Sequence, residues 1–262
     1  MNEIFHENCL VTMTRPELQG SIDVVITSPP YNTSRVGASD KHNSRYDKST
    51  FEDNKTDEQY LDWTVDIFNG YDKVLKPNGC VLYNISYSSE NTHLIWLTIA
   101  EIIKRTSFTT ADCIIWKKRQ AIPNNRSKNK LTRIIEYVFV FCRKSEFTSF
   151  NCNKKVVSVI EKTGQANFEN VYNFIEAKNN DGSNELNKAT FSKDFVSKML
   201  NIYAKEGAVI YDNFMGIGTT ALACIENGYE FYGSELSEAQ VDHANKSIEE
   251  LTSVKINPTL FG

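Results

Sequence analysis

The chain has 262 residues, of which 40% are hydrophobic and 11% aromatic. That composition is enough for one large domain, or one domain with a modest insertion, and excludes wholesale disorder. The formal net charge of −4 conceals an asymmetry, because the segment from Lys117 to Lys155 holds 11 basic and two acidic residues while the remainder carries −13. A basic segment on an acidic body is typical of a polyanion-binding face, although a solvated lysine-rich loop has the same composition.

Features of exported and membrane proteins are missing from the sequence. The N-terminus has no basic region followed by an apolar run, so it is not a signal peptide, and the longest apolar stretch, Tyr137 to Cys142, is only strand-sized. The six cysteines are scattered without a Cys-x-x-Cys pair, which favours free thiols over disulfides or a zinc site. We therefore expect a cytoplasmic protein without a bound metal.

Short β-branched or aromatic runs alternate with amphipathic stretches along the chain, a pattern that predicts an α/β fold with a mostly parallel sheet. The predicted strands are Ile22–Thr27, Cys80–Ile85, Cys113–Trp116, Tyr137–Cys142, Ala208–Tyr211 and Glu230–Gly233. Apolar residues at helical spacing predict the helices Glu58–Leu75, Leu94–Ile103, Phe195–Tyr203, Ala221–Asn227 and Gln240–Leu251.

Two stretches have no regular pattern. Asn32–Thr56 is a polar segment of 25 residues, which is long for a structureless loop in a compact domain; such loops are usually functional lids or disordered connections. The second stretch, roughly Ser145–Asn187, is weakly periodic and includes a polar run from Lys178 to Asn184.

A glycine-rich turn follows one predicted strand. In Asp212-Asn213-Phe214-Met215-Gly216-Ile217-Gly218-Thr219-Thr220, the glycines let the backbone approach a ligand, and the threonines can cap the helix that follows. Glu235 ends the next strand, where a carboxylate can accept the hydroxyls of a ribose. Such turns also occur without a ligand, and this one lacks the third glycine of the dinucleotide fingerprint and the Gly-Lys-Thr of a P-loop.

A second motif, Ser28-Pro29-Pro30-Tyr31, directly follows the strand Ile22–Thr27. Two prolines fix an extended backbone and remove two backbone donors, which leaves carbonyl acceptors beside a hydroxyl and an aromatic ring. Such a set could accept both hydrogens of an amino group while the ring stacks on a flat base. Pro-Pro alone can be an ordinary turn, but the carboxyl end of a parallel strand is where open α/β sheets bind ligands.

Together these motifs resemble those of the amino-group DNA methyltransferases. Ser28-Pro29-Pro30-Tyr31 resembles the catalytic (D/N/S)-P-P-(Y/F/W) motif of the family, and the Asp212 segment resembles its D-P-F-x-G-x-G-T-T motif for S-adenosylmethionine (AdoMet). The catalytic motif comes first, as in the permuted β group of the family. Shorter segments also resemble family motifs in the expected order, namely Ile4–Leu10 together with residues 21–26, then residues 75–80, 116–141 and 189–192. The resemblance as a whole covers nearly the entire chain except residues 32–56 and 145–187.

The resemblance implies a Rossmann-like methyltransferase fold with a mostly parallel, circularly permuted, seven-stranded sheet and a small target-recognition insertion. Its parts would be a catalytic part at 1–144, a target-recognition region at 145–187 and an AdoMet-binding part at 188–262. The catalytic residues would be Ser28, Pro29, Pro30 and Tyr31. The AdoMet site would be formed by Asn8, Thr190, Phe191, Ser192, Asp212, Phe214, Gly216, Gly218, Thr219, Thr220, Glu235 and Leu236.

The sequence departs from the family pattern at three places. Asn213 stands where proline is usual, Asn187-Lys188 stand where His-Pro is common, and Asn8 replaces a common aspartate. None of these changes removes a catalytic group, so the resemblance still implies an active enzyme.

The implied reaction moves a methyl group from AdoMet to the exocyclic amino group of a base flipped out of double-stranded DNA. Serine at the first catalytic position favours N4 of cytosine, with N6 of adenine as the alternative; C5 chemistry is disfavoured because no proline precedes a cysteine. The loop 32–56 would close over the extruded nucleotide. Phosphate contacts would come from Lys117, Lys118, Arg119, Arg126, Lys128, Lys130 and Arg133.

Some partners and rival functions stay open. A restriction endonuclease acting separately is a possible partner, and the protein could be a monomer or a homodimer. A methyltransferase for RNA or for a protein glutamine uses a similar motif, but those enzymes place the AdoMet motif first. A catalytically dead DNA-binding module is the non-enzymatic alternative, against which the intact motifs argue.

Overall fold

Eight strands form one sheet at the centre of the structure, a computed structural model that describes residues 2–32, 55–87, 91–121, 128–182, 184–187 and 190–256. In chain order the strands are β1 (Glu3–His6), β2 (Ile22–Thr27), β3 (Leu75–Ile85), β4 (Phe108–Lys118), β5 (Ile135–Arg143), β6 (Val156–Val159), β7 (Ala166–Phe168), β8 (Phe174–Ala177), β9 (Val209–Asp212) and β10 (Glu230–Glu235). The helices are α1 (Cys9–Thr12), α2 (Asp57–Val74), α3 (Leu94–Arg105), α4 (Lys193–Tyr203), α5 (Thr219–Asn227) and α6 (Glu238–Ile256).

The main sheet has the strand order β1-β10-β9-β2-β3-β5-β4-β8. Every neighbouring pair is parallel except the two pairs that involve β5, which runs against β3 and β4. The predicted mostly parallel α/β fold is confirmed, with eight strands in place of the seven expected.

The extra strand corrects the sequence interpretation of residues 145–187 as irregular. Phe174–Ala177 pairs with β4 at the edge of the main sheet, and β6 and β7 form a separate two-stranded antiparallel sheet. The remaining predicted strands and helices are present, with ends that differ by a few residues. The short edge strand β1 was not predicted.

Alternation of apolar side chains along the central strands builds two hydrophobic layers, one on each face of the sheet. In β5, Val138 and Val140 belong to one layer while Phe139 and Phe141 belong to the other. Successive residues of a strand point to opposite faces, so a strand that is apolar throughout must be covered on both sides. Helices α2 and α3 cover the Phe139 side, and α4, α5 and α6 cover the Val138 side.

The sheet changes direction between β2 and β9. From β2 the chain continues through α2 to β3 on one side, and from β9 it continues through α5 to β10 on the other. The helices α2 and α5 lie on opposite faces, so the loops that follow β2 and β9 diverge. In open α/β sheets a crevice forms at such a switch point, outside the carboxyl ends of the strands.

The predicted lid, Asn32–Thr56, lies outside the described residues except for its ends. At those ends the Asn32 side chain bonds the Lys55 backbone twice, donating to its carbonyl at 2.8 Å and accepting from its N–H at 2.9 Å. Thr56 caps α2 in a capping box with Gln59. Within the described part of the chain, each helix is too short or too polar to cross a lipid bilayer.

Candidate active site

The two motifs that the sequence singled out meet at the switch point. Strands β2 and β9 are hydrogen-bonded neighbours, with Val24 opposite Ile210 and Val25 opposite Tyr211. At their carboxyl ends the Thr27 hydroxyl donates to Oδ1 of Asp212 at 2.9 Å. Residues 185 positions apart in the chain are thereby joined, and the Ser28 and Gly216 segments flank one crevice.

Asp212 connects the two motifs from a buried position, where it is 1% exposed. Its other oxygen accepts from the Thr220 hydroxyl at 2.5 Å, and the Phe214 N–H donates to Oδ1 at 3.1 Å. Burial raises the pKa of Asp212 to about 6, against the opposing effect of these hydrogen bonds. Its carboxylate is held by the protein itself, so Asp212 fixes the turn that follows β9.

The glycine-rich turn needs glycine at two positions. Gly216 and Gly218 have φ values of +56° and +89°, in the left-handed region that other residues rarely adopt. A Cβ at Gly218 would lie 2.8 Å from Cβ of Ala244 in α6, and one at Gly216 would lie 3.0 Å from Nδ2 of Asn187. Helix α5 begins directly afterwards at Thr219, so its N-terminal end faces the crevice.

Glu235, at the end of β10, is oriented by three backbone amides. Gly216 N–H donates to its Oε2 at 2.9 Å, and the N–H groups of Leu236 and Ser237 donate to Oε1 at 2.8 and 2.9 Å. A carboxylate has about four acceptor positions, so this conformation keeps about one for a ligand hydroxyl.

The Ser28–Tyr31 segment is fixed from behind by hydrogen bonds. The Tyr60 hydroxyl donates to the Pro30 carbonyl at 2.9 Å, and the Ser28 hydroxyl lies 3.1 Å from the Tyr31 hydroxyl. Tyr31 donates in turn to Oε2 of Glu136 at 3.2 Å. The Pro30 carbonyl is therefore engaged within the protein, and Ser28 is the start of a hydrogen-bond chain.

A cavity of about 360 Å³ occupies the crevice and contains both motifs. Of the predicted residues it is lined by Asn8, Ser28, Pro30, Thr190, Phe191, Asp212, Phe214, Gly216, Thr219, Glu235 and Leu236. Five others do not line it: Pro29, Tyr31, Ser192, Gly218 and Thr220. Among these, Ser192 caps α4 and Thr220 holds Asp212, so both support the site from behind.

Several lining residues were not predicted from the sequence: Glu7, Cys9, Lys55, Trp63, Asn187, Asn213, Met215 and Gln240. Trp63 packs on Phe214 with ring centroids 5.6 Å apart, and Asn187 donates to Oε1 of Gln240 at 3.0 Å. Both contacts join segments far apart in the chain. A lone tryptophan on an amphipathic helix gives no signal of such a contact.

The basic segment is partly neutralised in the structure. Lys117 pairs with Glu176, and Lys118 pairs with Glu136. Four further predicted phosphate-binding residues, Arg119, Lys128, Lys130 and Arg133, are exposed, and Arg126 lies outside the described residues.

The residues around the cavity fit AdoMet. Its volume lies in the range of small-ligand pockets. At one end Glu235 can accept a ribose hydroxyl beside glycines that admit a close ligand. The apolar rings of Phe191 and Phe214 offer flat surfaces, and Ser28 of the Ser28–Tyr31 motif lines the same cavity. The cavity thus supplies a place for a nucleoside next to a hydroxyl that can bind an amino group.

Comparison with known proteins finds a matching family and several related methyltransferases. The model of a family described as DNA methylase, of the N6/N4 type, matches residues 22–246. Type II methyltransferase M.BglII of Bacillus subtilis is 23% identical over 243 residues, which cover 86% of this chain and 62% of that protein. Type II methyltransferase M.MwoI of Methanothermobacter wolfeii is 26% identical, over 88% of this chain and 31% of that protein. The chain thus spans less than two thirds of these relatives.

Solved structures share the fold. PvuII DNA methyltransferase (cytosine-N4-specific) matches with a TM-score of 0.70 and 16% identity, over 98% of this chain and 93% of that one. The M1.HpyAVI–SAM complex matches with a TM-score of 0.61 and 20% identity, over 94% of this chain and 100% of that one.

Proposed function

Because the chain belongs to the N6/N4 DNA methylase family, we propose that it transfers a methyl group from AdoMet to the exocyclic amino group of a DNA base. The observation that carries this proposal is the shared cavity, in which Ser28 of the catalytic motif and Glu235 and Gly216 of the AdoMet motif line one space. A nucleobase and a methyl donor can therefore lie side by side, where positioning supplies most of the acceleration.

The AdoMet site is assigned to the end of the cavity formed by β9 and β10. Glu235 would accept a ribose hydroxyl, Gly216 and the start of α5 would admit the ligand closely, and Thr190 and Phe191 would contact its methionine end. Bound there, AdoMet would supply an electrophilic methyl group carried by a sulfonium.

The target amino group is assigned to Ser28 and the Pro29 carbonyl. The lone pair of an exocyclic amino nitrogen is conjugated with the ring, so that nitrogen is a poor nucleophile. Hydrogen bonds from its N–H groups to Ser28 Oγ and the Pro29 carbonyl would draw it toward a tetrahedral, nucleophilic shape. The Pro30 carbonyl already accepts one hydrogen bond, from Tyr60. Tyr31 would contact the flipped base.

N4 of cytosine is the favoured acceptor, because serine rather than aspartate stands at position 28. N6 of adenine is the alternative. To decide, the chain is expressed in cells whose DNA carries neither modification, and the DNA is digested to nucleosides for mass spectrometry. N4-methylcytosine is expected, and a Ser28→Ala variant should yield almost none.

N6-methyladenine instead would overturn the base assignment while keeping the reaction. Unmodified DNA, together with methylated RNA or glutamine, would move the activity to the rival class of methyltransferase. Unmodified DNA without AdoMet binding by calorimetry would indicate a dead DNA-binding module.

Duplex DNA would bind mainly through phosphate contacts from the exposed basic residues Arg119, Lys128, Lys130 and Arg133. Sequence reading is assigned to residues 145–187, between the catalytic part at 1–144 and the AdoMet-binding part at 188–262. Within this region Val156, Val157 and Val159 of the β6–β7 sheet are more than half exposed. Apolar side chains kept outside the core are typical of a contact surface.

We expect the methylation of DNA to take place in the cytoplasm, by a monomer or homodimer. A restriction endonuclease, if paired with this enzyme, would act as a separate protein.

A further inference from the structure

A group of polar side chains lies behind Ser28, away from the AdoMet end of the cavity. It consists of Tyr31, Asn84 of β3, Glu136 of β5 and Lys118 of β4. Asn84 is 1% exposed and the Glu136 side chain is 13% exposed, in a sheet whose neighbouring positions are apolar. Polar groups are costly to bury there, so their arrangement calls for a physical reason.

The hydrogen bonds of this group have a defined direction. An ionised carboxylate only accepts, so the Tyr31 hydroxyl donates its single proton to Oε2 of Glu136, at 3.2 Å. Having donated its only proton, the Tyr31 hydroxyl can act toward Ser28 only as an acceptor, and it lies 3.1 Å from the Ser28 hydroxyl. Once Ser28 has donated to Tyr31, its Oγ presents only lone pairs to the cavity.

Asn84 and Lys118 support this direction. Nδ2 of Asn84 lies 2.9 Å from Oε2 of Glu136, 3.2 Å from the Tyr31 hydroxyl and 3.4 Å from Ser28 Oγ, and its two hydrogens are donated to the nearer two oxygens, those of Glu136 and Tyr31. The Lys118 ammonium binds the other carboxylate oxygen, Oε1, and offsets the cost of placing a charge in this half-buried site.

We propose that Glu136 is a positioning residue for methyl transfer, which orients the Tyr31 and Ser28 hydroxyls so that Ser28 accepts from the target amine. This inference rests on the proposed function and extends it to a residue outside the Ser28–Tyr31 and Asp212–Thr220 motifs. Glu136 also provides the end point for the proton that the reaction releases.

The proton transfer balances along the same chain. The nitrogen lone pair forms the new N–CH₃ bond, and the electrons of the breaking S–C bond stay on sulfur. The cationic nitrogen passes one N–H proton to Ser28 Oγ, while the Ser28 proton moves to Tyr31 and the Tyr31 proton moves to Oε2 of Glu136. The electrons of the broken N–H bond restore the nitrogen lone pair.

Glu136→Gln tests this role with little change of shape. Lys118 can only donate, so it attracts the amide oxygen of glutamine and turns the NH₂ group toward Tyr31. That donor reverses the hydrogen-bond chain, and Ser28 then points its proton at the amine. We expect kcat at saturating DNA to fall at least about tenfold, with the AdoMet dissociation constant within about twofold of wild type.

Tyr31→Phe removes the hydroxyl that links Ser28 to Glu136, and it keeps the ring. We expect a similar loss of kcat. The kcat of the Tyr31→Phe/Glu136→Gln double variant should be no lower than that of the more impaired single variant, because both substitutions interrupt the same hydrogen-bond chain. Should Glu136→Gln fail to fold, Tyr31→Phe alone still decides, since wild-type kcat in that variant overturns the proposal.

Glu226→Gln is the matched control. Glu226 also pairs with a lysine, Lys193, does not line the cavity, and has no hydrogen bond to Ser28 or Tyr31 among the described residues. Its kcat should stay within about twofold of wild type.

The proposal is overturned by wild-type kcat for Glu136→Gln or for Tyr31→Phe, by an equal loss of kcat in Glu226→Gln, or by losses that multiply in the double variant. The proposed function fails separately, when the wild-type protein itself methylates no DNA base.

Discussion

Ser28→Ala should lower the turnover number for DNA methylation by about 100- to 1000-fold, the usual cost of removing one preorganised hydrogen-bond partner from an active site. Alanine keeps the backbone of the motif but removes the oxygen that accepts from the target amine and ends the chain from Glu136 and Tyr31. Transfer of a tritiated methyl group to DNA measures the loss. AdoMet affinity by calorimetry should be nearly unchanged, because Glu235 and Gly216 remain in place.

Ser21→Ala serves as the control for this substitution. Ser21 precedes the same strand, β2, and its hydroxyl donates to the Leu18 carbonyl, remote from the cavity. Turnover should stay close to wild type in this variant. Full turnover in Ser28→Ala would contradict the assigned role of the hydroxyl.

Asp212→Asn should remove a pH-dependent contribution of about 3 kcal/mol from the free energy of unfolding. The figure follows from the pKa shift of Asp212, because one pKa unit corresponds to 1.36 kcal/mol. The folded-state pKa of Asp212 is raised from 3.8 to about 6, so the folded protein binds this proton more tightly than the unfolded chain does. The resulting stabilisation is complete below pH 3.8 and is lost as the pH rises to about 6. Asparagine does not titrate and keeps a similar shape.

Urea unfolding of both proteins between pH 4 and 7 measures this difference. Relative to Asp212→Asn, the wild-type free energy of unfolding should decline as the pH rises. The decline should persist in about 0.5 M salt, because it arises from burial rather than from exposed charges. A constant difference across this range would mean that Asp212 is already ionised at low pH in the folded state.

Local pattern was sufficient to predict the central part of the fold. The runs in β2, β3 and β5 are apolar on both faces, which is a strong signal for strands covered by helices on both sides. Edge strands give a weaker signal in the sequence. Only Ile4 and Phe5 of β1 are buried, and β8 alternates exposed and buried residues over just four positions, within a mostly polar stretch. These two strands are defined by pairing with distant partners.

The residues of the candidate site likewise differ in how well the local sequence predicts them. Ser28, Gly216 and Glu235 lie in contiguous motifs, and their positions at strand ends could be predicted from the sequence. Glu136 and Trp63 reach the site through sheet pairing and helix packing, which no local pattern encodes. Asn84 did give a signal, because an amide inside an otherwise apolar strand implies a buried polar partner.

We propose that the Ser28–Tyr31 and Asp212–Thr220 segments build one pocket for a methyl donor and a base. The most direct test is a crystal structure of the protein grown with AdoMet. We expect the ribose at Glu235 and the sulfonium methyl pointing across the cavity toward Ser28. AdoMet bound elsewhere, or bound here with its methyl group turned away from Ser28, would contradict this assignment.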